Sequence, residues 1–474
     1  MQKSRNKNTS FNTRILKALS IFGGIEFISI LCSIVRTKLV ALWIGAAGVG
    51  LMALYNSTLE MLRSIMLLNM RQSGVREIAA ADASERAIYC RSTNRLGVYI
   101  GIVSSIIVAV ASPLLSKFTF GTYSHTWAFA VLSVTMFAAS IADARRAVLQ
   151  GLDMLKPLAQ SSLYAAVFST VIAIPLFYYF RLDAIVAVIA LFYISAMAFT
   201  LLPKLPIPKV MPVRVEQRRV MKKMLALGGY LTVAASTTAI ANYLLRVYLN
   251  ASASVEYVGL FQAGYTLVNT YVGIVFTAIS MEFFPRLSAA IKKTSTSQII
   301  VSHEISIVTW IILPIIVVFI CADELIVRIL YSATFLEIMP YISVAIIGTI
   351  LRGVSWCLAY VIIAKGDGKV YVITEAISAV ATLVLSIIGW HLWGYVGLAL
   401  AYNIEYLIYT FTTGYVCRKR YGIKLSRTNH WLIATSLSVS IAALCLKLTF
   451  AWWVVAIVIL PWLIPLSIKY LHRR

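Results

Sequence analysis

The sequence predicts an all-α, polytopic membrane protein with about fourteen transmembrane helices. Of its 474 residues, 60% are hydrophobic and only 13% are charged, and the mean hydropathy of +0.85 is far above that of soluble globular domains. Apolar runs of about 18 to 25 residues recur along the chain, and each is long enough to cross a ~30 Å hydrocarbon core as a helix. A transmembrane β-barrel would instead show alternating segments of about ten residues.

The predicted spans follow one another with short connections. Their approximate bounds are 16–36, 48–70, 96–115, 126–147, 158–180, 184–202, 225–248, 258–282, 304–322, 339–364, 370–391, 394–416, 430–447 and 450–469. Most of the 42 Lys and Arg residues lie before the first span or after an even-numbered one. By the positive-inside rule, this distribution predicts that both termini are cytoplasmic.

The net charge, the cysteines and the histidines indicate which binding partners, disulfides and metal sites to expect. A net charge of +24 would suggest nucleic acid in a soluble protein, but these basic residues flank apolar runs, where they contact anionic lipid and set topology. The bilayer is therefore the predicted partner, and nucleic acid is not. The six cysteines include no CxxC pair and the five histidines are scattered, so we predict neither a disulfide framework nor a metal site.

One linker divides the chain. Four prolines between Pro203 and Pro212 precede a basic stretch that ends at Lys223, which predicts an extended connection followed by an amphipathic helix on the membrane surface. Arg36 and Arg246 each lie near the outer end of a span, the first and the seventh, a weak symmetry typical of transporters built from two repeats. We therefore predict two pseudo-symmetric six-helix bundles around a central cavity plus two C-terminal helices. The predicted domains are a lobe at 1–202, a basic cytoplasmic linker at 203–223, a lobe at 224–417 and the extra helices at 418–474.

Polar residues form stripes within the apolar runs. Glu26 and Arg36 belong to one face of the first span, and Asn56, Glu60 and Arg63 repeat at helical spacing in the second. A charge at the bilayer centre costs at least ~2.5 to 3.5 kcal/mol, so these stripes should face a bundle interior or an aqueous cavity. This pattern predicts a membrane transporter, not an enzyme, since there is no DxD-like acidic cluster and no large loop to hold a catalytic site.

Arginines outnumber carboxylates at the deep positions, which favours an anionic ligand because guanidinium offers a fixed fork of donors to phosphate oxygens. Arg145 and Arg146, near a span end, are interpreted as interfacial anchors. The predicted cavity residues are Arg36, Arg63, Arg246, Arg352, Asn56, Asn242 and Asn269.

The deep carboxylates have two open interpretations. Glu26, Glu60 and Glu405 either couple transport to H+ or Na+ or are structural, with Glu60–Arg63 and Arg352–Glu405 as alternative ion pairs. Glu26 has no basic residue three or four positions later, so it is either an ion site or a buried carboxyl bonded to a hydroxyl. No other cofactor is predicted.

Several segments resemble the polysaccharide flippases of the multidrug/oligosaccharidyl-lipid/polysaccharide exporter superfamily. The polar second span is followed by Gly74-Val75-Arg76-Glu77, and the stretch 258–265 (VGLFQAGY) leads to 284–288 (FPRLS). Together with the 6+6+2 arrangement of spans, these segments are most similar to the O-antigen translocases of the Wzx type.

The resemblance implies a flippase that moves an undecaprenyl diphosphate-linked oligosaccharide from the cytoplasmic to the periplasmic leaflet of a bacterial inner membrane by alternating access. Arg36 and Arg63 match cationic positions of the related lipid II flippases, whereas Arg246 and Arg352 match by depth alone. Polysaccharide polymerase and chain-length machinery are the further partners that it implies. The alternative function is an ion-coupled multidrug cation antiporter of the same superfamily, a class that usually has twelve spans and a carboxylate-led site.

Overall fold

The computed structural model describes residues 28–82, 85–206 and 214–449, and the described residues are helical throughout, with turns and no strand among them. This confirms the predicted all-α fold class. In chain order the α-helices are α1 (described over 28–43), α2 (Ala46–Met66), α3 (Met70–Ala80), α4 (Arg86–Val110), α5 (Ser112–Phe120), α6 (Thr126–Gly151), α7 (Leu155–Phe180), α8 (Ala184–Leu201), α9 (Arg214–Ser252), α10 (Val255–Tyr265), α11 (Val272–Ala290), α12 (Thr294–Leu330), α13 (Met339–Ala345), α14 (Thr349–Ala364), α15 (Gly368–Tyr421) and α16 (Arg427–Thr449).

Eight stretches of the described chain are long and apolar enough to cross a membrane, as expected of a multi-pass membrane protein. Two of them each contain two predicted spans. The 47-residue stretch Leu155–Leu201 comprises α7 and α8, and the 54-residue α15 breaks at Trp393 and Gly394. Gly394 has a φ of 55°, a left-handed conformation that favours glycine, and it is the first residue of the predicted span 394–416, which follows the predicted span 370–391. Glu26 and the predicted span 450–469 lie outside the described residues, so the count of fourteen stays approximate.

The contacts divide the chain into two compact units. Unit 1 comprises Met1–Ala239 and Asn250–Ala253, and unit 2 comprises Ile240–Leu249 and Ser254–Arg474. This division follows packing and falls inside α9. The lobe boundaries expected from the sequence stay predictions.

In unit 1, helix α6 is central and packs against α3, α4 and α8. Small residues permit its close contact with α4: a Cβ added at Gly97 would lie 2.5 Å from the Cβ of Ala144, and the Ser140 hydroxyl donates to the Gly97 carbonyl at 2.7 Å. Such small-residue contacts let helix backbones approach closely in a membrane. They set the position of the polar C-terminal turns of α6.

The basic end of the predicted linker is helical and continuous with the seventh predicted span, as one helix, Arg214–Ser252. Val220 and Met224 are buried in a cluster with Met70 and Leu96. One face of the basic segment is therefore packed against the rest of unit 1, and those of its basic side chains that the structure describes are exposed; its place on a membrane surface stays a prediction.

Unit 2 has polar ties between its helices. The Lys447 ammonium of α16 pairs with Asp323 of α12, which is 1% exposed. The Asn429 amide donates to the Ser302 carbonyl at 2.9 Å, and Arg286 pairs with Glu304 at 2.5 Å. Unpaired buried charges are costly in an apolar interior, and the buried carboxylates Asp323 and Glu304 each have a basic partner.

Candidate functional site

A cavity of about 710 Å³ lies within unit 1, lined by the end of α2, by α3 and by the last turns of α6. We call it the basic pocket. Its charged lining residues are four arginines and two carboxylates, namely Arg63, Arg71, Arg76, Arg146, Glu60 and Asp143. The formal charge of this lining is therefore positive.

A left-handed turn between α2 and α3 gives the pocket its shape. Leu68 and Asn69 have φ values of 48° and 43°, which are unusual for residues other than glycine. The turn redirects the chain so that Arg71 on α3 faces the same cavity as Arg63 on α2. Gly228 of α9 packs against this turn, because a Cβ there would lie only 2.1 Å from the Leu68 carbonyl oxygen.

One carboxylate positions two of the guanidinium groups. Arg63 Nη2 donates to Asp143 Oδ2 at 3.1 Å, and Arg146 Nη1 lies 3.5 Å from Asp143 Oδ1. Arg63 Nη1 also donates to the Tyr193 hydroxyl at 3.1 Å, and the guanidinium carbon lies 5.0 Å from the centroid of that ring. Sharing Asp143 fixes both arginines and leaves their combined charge only half neutralised.

The pocket keeps hydrogen-bond donors in excess. Arg71 and Arg76 are exposed and make no hydrogen bond or ion pair within the described part of the chain. The Nε atoms of Arg63 and Arg146 are buried and have no acceptor among those same residues. Since guanidinium always carries its charge and matches phosphate oxygens in pairs, the arrangement is suited to binding a multiply charged anion.

Of the other predicted residues of unit 1, Glu60 lines the basic pocket, whereas Arg36 makes its contacts elsewhere. Arg36 Nη1 donates to Ser169 Oγ at 3.2 Å, and its guanidinium lies 4.8 Å from the Phe192 ring centroid. Asn56 is half-buried on α2. Glu60 is exposed and lines the basic pocket. Of the alternatives for Glu60, an ion pair with Arg63 is not formed, because Arg63 pairs with Asp143.

In unit 2, Arg246 is 5% exposed and its donors reach internal acceptors. Its Nε donates to Gln262 Oε1 at 2.9 Å and its Nη1 donates to the Asn242 carbonyl at 2.8 Å. The guanidinium carbon lies 5.0 Å from the Tyr265 ring centroid. Arg246 thus ties α9 to α10, and Asn242 takes part through its backbone.

Arg352 binds a main-chain carbonyl. Its Nη1 donates to the Asn269 carbonyl at 3.0 Å, and Asn269 belongs to the π-helical turn Thr266–Tyr271 between α10 and α11. Such turns loosen the i→i−4 ladder and occur often at functional sites. Glu405 is 4% exposed and accepts a hydrogen bond from Ser378. The alternative Arg352–Glu405 ion pair is not formed within the described residues.

Sequence reasoning missed Asp143, Arg146, Arg71 and Arg76 as pocket residues. A signal was present on α6, where Asp143, Arg146 and Gln150 follow one another at steps of three and four and so share a face. Arg146 was interpreted as an interfacial anchor together with its neighbour. Only Arg145 fits the interpretation as an anchor at a span end, because its guanidinium donates a hydrogen bond to the Pro203 carbonyl at 2.7 Å, just after the end of α8.

Comparison with solved structures shows the fold. The chain is similar to the lipid II flippase MurJ in an inward closed conformation, at 14% identity with a TM-score of 0.70, covering 95% of this chain and 98% of that one. It is also similar to a multidrug resistance MATE family transporter of the MOP superfamily in an inward-facing conformation, at 10% identity and TM-score 0.66, covering 86% and 95% of the two chains.

A third similar structure is a MOP superfamily transporter from Pyrococcus furiosus described by the reverse polarity of its binding pocket, at 14% identity and TM-score 0.61, covering 84% of this chain and 94% of that one. A search of curated protein sequences finds no significant match. A family model described as polysaccharide biosynthesis protein matches residues 50–340, which is more than half of the chain and includes the whole lining of the basic pocket. The chain therefore belongs to this family of polysaccharide biosynthesis proteins.

Proposed function

We propose that the protein is a flippase for an undecaprenyl diphosphate-linked oligosaccharide, an O-antigen or related polysaccharide repeat unit. It moves this lipid from the cytoplasmic to the periplasmic leaflet of a bacterial inner membrane, and both of its termini are cytoplasmic. The observation that carries the proposal is the basic pocket, where four arginines face two carboxylates within a chain of the polysaccharide biosynthesis family.

The diphosphate is the part of the substrate that this pocket fits. Its oxygens accept charge-assisted hydrogen bonds from the unpartnered Arg71 and Arg76 and from the pair held by Asp143. Such bonds to charged groups contribute about 1.5 to 3 kcal/mol each, enough to favour a bound anion over free solution. The polyprenyl portion carries no charge, so the diphosphate is the part of the lipid that the arginines of the basic pocket bind.

Transport follows by alternating access, in which inward-open and outward-open forms exchange and the bound head group shifts their populations. Arg36 and Asn56 are proposed as further cavity contacts. The sequence also predicts cavity positions for Arg246, Arg352, Asn242 and Asn269, but here they are proposed to tie helices of unit 2 together. For the driving force, coupling to H+ or Na+ at Glu26, Glu60 or Glu405 is proposed, and polysaccharide polymerase and chain-length machinery are the proposed partners.

The first test compares a host lacking this gene with the wild type. We expect undecaprenyl diphosphate-linked glycan to accumulate in the membrane and polymer to disappear from the surface, and mass spectrometry of the accumulated lipid identifies the sugar. Complementation with Arg71→Gln/Arg76→Gln should fail, because it removes the two unpartnered pocket charges. Lys292→Gln/Lys293→Gln, two exposed basic residues of unit 2 outside the pocket, is the matched control and should complement.

The alternative function is an ion-coupled multidrug cation antiporter. Glu60 and Asp143 lie in the same pocket and provide the carboxylates that a cation needs, and a similar fold belongs to MATE transporters. Unchanged glycan in the deletion host, together with altered sensitivity to cationic drugs, would favour the antiporter and overturn the flippase.

A further inference from the structure

Unit 1 has a second cavity, of about 590 Å³, bounded by the end of α2, the middle of α4 and the first turns of α9. We call it the α4–α9 groove. Most of its lining residues are apolar, and they include Met66, Tyr99, Val103, Ile107 and Leu225. Tyr99, Val103 and Ile107 are each at least half exposed, as side chains that face lipid are.

Two cations lie at one end of this apolar groove. Arg218 and Lys222 line it one helical turn apart on α9, and both are exposed. Gln217, the residue before Arg218, accepts a hydrogen bond from Arg95 of α4. Arg95 precedes Leu96, the first α4 residue that lines the groove, so the two cations lie at the Leu96 end. Ile107 is at the other end. The groove therefore has a charged head and an apolar tail.

The length of the groove matches one leaflet. From Leu96 to Ile107 helix α4 rises ~16 Å at 1.5 Å per residue, which is about half of a ~30 Å hydrocarbon core. An acyl chain that begins beside Arg218 therefore reaches close to the bilayer midplane at Ile107. In the orientation proposed above, the basic end is cytoplasmic.

Within the described ranges Arg218 and Lys222 have no acidic partner, whereas the neighbouring Lys223 has one. Lys223, the next residue on α9, pairs with Glu77 at 2.5 Å, and this hydrogen bond raises the pKa of the Lys223 ammonium. Arg218 and Lys222 make no hydrogen bond or ion pair within the described ranges. A negatively charged head group would supply the counter-charge that the protein provides for Lys223 but not for these two.

We propose that the α4–α9 groove binds one anionic phospholipid of the cytoplasmic leaflet, with its phosphate at Arg218 and Lys222 and one acyl chain along Tyr99, Val103 and Ile107. Its assignment to that leaflet rests on the orientation of the proposed function, but its chemistry does not depend on the diphosphate substrate. The bound lipid holds the first turns of α9 against α4, and the same helix carries Gly228 against the turn that shapes the basic pocket.

The test is native mass spectrometry of the purified full-length protein titrated with phosphatidylglycerol or phosphatidylcholine of identical acyl chains. We expect phosphatidylglycerol to bind about tenfold more tightly, since each basic side chain at a membrane surface favours anionic lipid. Arg218→Gln/Lys222→Gln should abolish this preference, whereas Lys292→Gln/Lys293→Gln should retain it. Val103→Trp fills the apolar part and should weaken the binding of both lipids. Thermal unfolding in detergent checks that each variant is folded.

Equal binding of the two lipids, or a preference retained in Arg218→Gln/Lys222→Gln, would overturn the proposal. Displacement of phosphatidylglycerol by equimolar undecaprenyl diphosphate would also overturn it, because the groove would then belong to the substrate lipid. The binding measurement involves no transport, so its failure is distinct from failure of the flippase assignment. A protein that binds phosphatidylglycerol as expected but leaves glycan unchanged on deletion overturns the flippase alone.

Discussion

Arginine is used differently in the two units. In unit 1, Arg63 shares a carboxylate with Arg146 at the wall of an open pocket, where Arg71 and Arg76 remain unpartnered within the described chain. In unit 2, Arg246 is buried and bonds to a side-chain amide and a carbonyl, and Arg352 bonds to a carbonyl. The same type of charge therefore has different surroundings in the two units.

The difference shows how a membrane protein uses a buried cation. A guanidinium whose donors reach internal acceptors ties helices together, since leaving those acceptors unpaired would be costly. A guanidinium held by a shared carboxylate is fixed in place but still presents positive charge to a ligand. We therefore expect the arginines of unit 1 to affect transport most and those of unit 2 to affect stability most.

The largest expected effect is that of Arg63→Ala on transport. Losing one charge-assisted contact to a phosphate, about 1.5 to 3 kcal/mol, reduces transport by about 10- to 100-fold. The protein stays folded because Asp143 keeps Arg146 as a partner. The measurement is accumulated lipid-linked glycan per amount of membrane-inserted protein, with Arg63→Lys as the charge-retaining control. Wild-type transport by both Arg36→Ala and Arg63→Ala would contradict the role assigned to unit 1.

Arg246→Ala should instead lower stability by about 3 kcal/mol, because it removes two hydrogen bonds from a buried charged group. Thermal unfolding in detergent measures this loss, and Arg328→Ala is the control, since its exposed pair with Glu324 is worth no more than ~1 kcal/mol. Transport per folded molecule should stay near the wild-type value. Lost transport with unchanged stability would place Arg246 among the substrate contacts, as the sequence predicts, and would remove the contrast between the units.

A third prediction tests the turn that shapes the basic pocket. Gly228→Ala should lower the free energy of unfolding by about 1 to 3 kcal/mol through overpacking, because its Cβ would meet the Leu68 carbonyl oxygen at 2.1 Å. Gly229→Ala is a matched control on the next residue, where nothing lies within 4 Å. We expect transport to fall in the first variant only. Equal stability of the two variants would show that the turn accommodates the added Cβ without loss of stability.

The smallest expected effect concerns the other end of α6 from Asp143. His125 bonds to the Tyr55 hydroxyl at 2.7 Å and stacks on Phe120, and burial lowers the pKa of its imidazole below 6.5. His125 therefore binds a proton more readily in the unfolded chain than in the folded protein. The neutral, buried imidazole stabilises the fold above pH 6.5, and this stabilisation is lost as the pH falls through the lowered pKa. Between pH 7.5 and pH 5 we expect Tm to fall by about 2 °C more in the wild type than in His125→Gln. The same fall in both would assign the pH dependence to other groups.

The helices themselves were predictable from residue order. Span length and hydropathy are local properties, so the predicted break between 391 and 394 coincides with the bend at Gly394. The inward position of Arg63 was also predictable, because a three- and four-residue spacing with Glu60 defines a helical face without any knowledge of neighbours. The basic character of the site follows from the same spacing and from the excess of deep arginines.

The partners of those charges were decided only by tertiary structure. Arg63 pairs with Asp143, 80 positions away, and not with Glu60 on its own helix. The same holds for the rest of the pocket: Gly97 lets α6 approach α4 closely, and the left-handed turn at Leu68 brings α3 to the cavity that α2 lines. Periodicity assigns a residue to a face of its own helix, whereas the neighbour that the face meets depends on packing between helices distant in sequence.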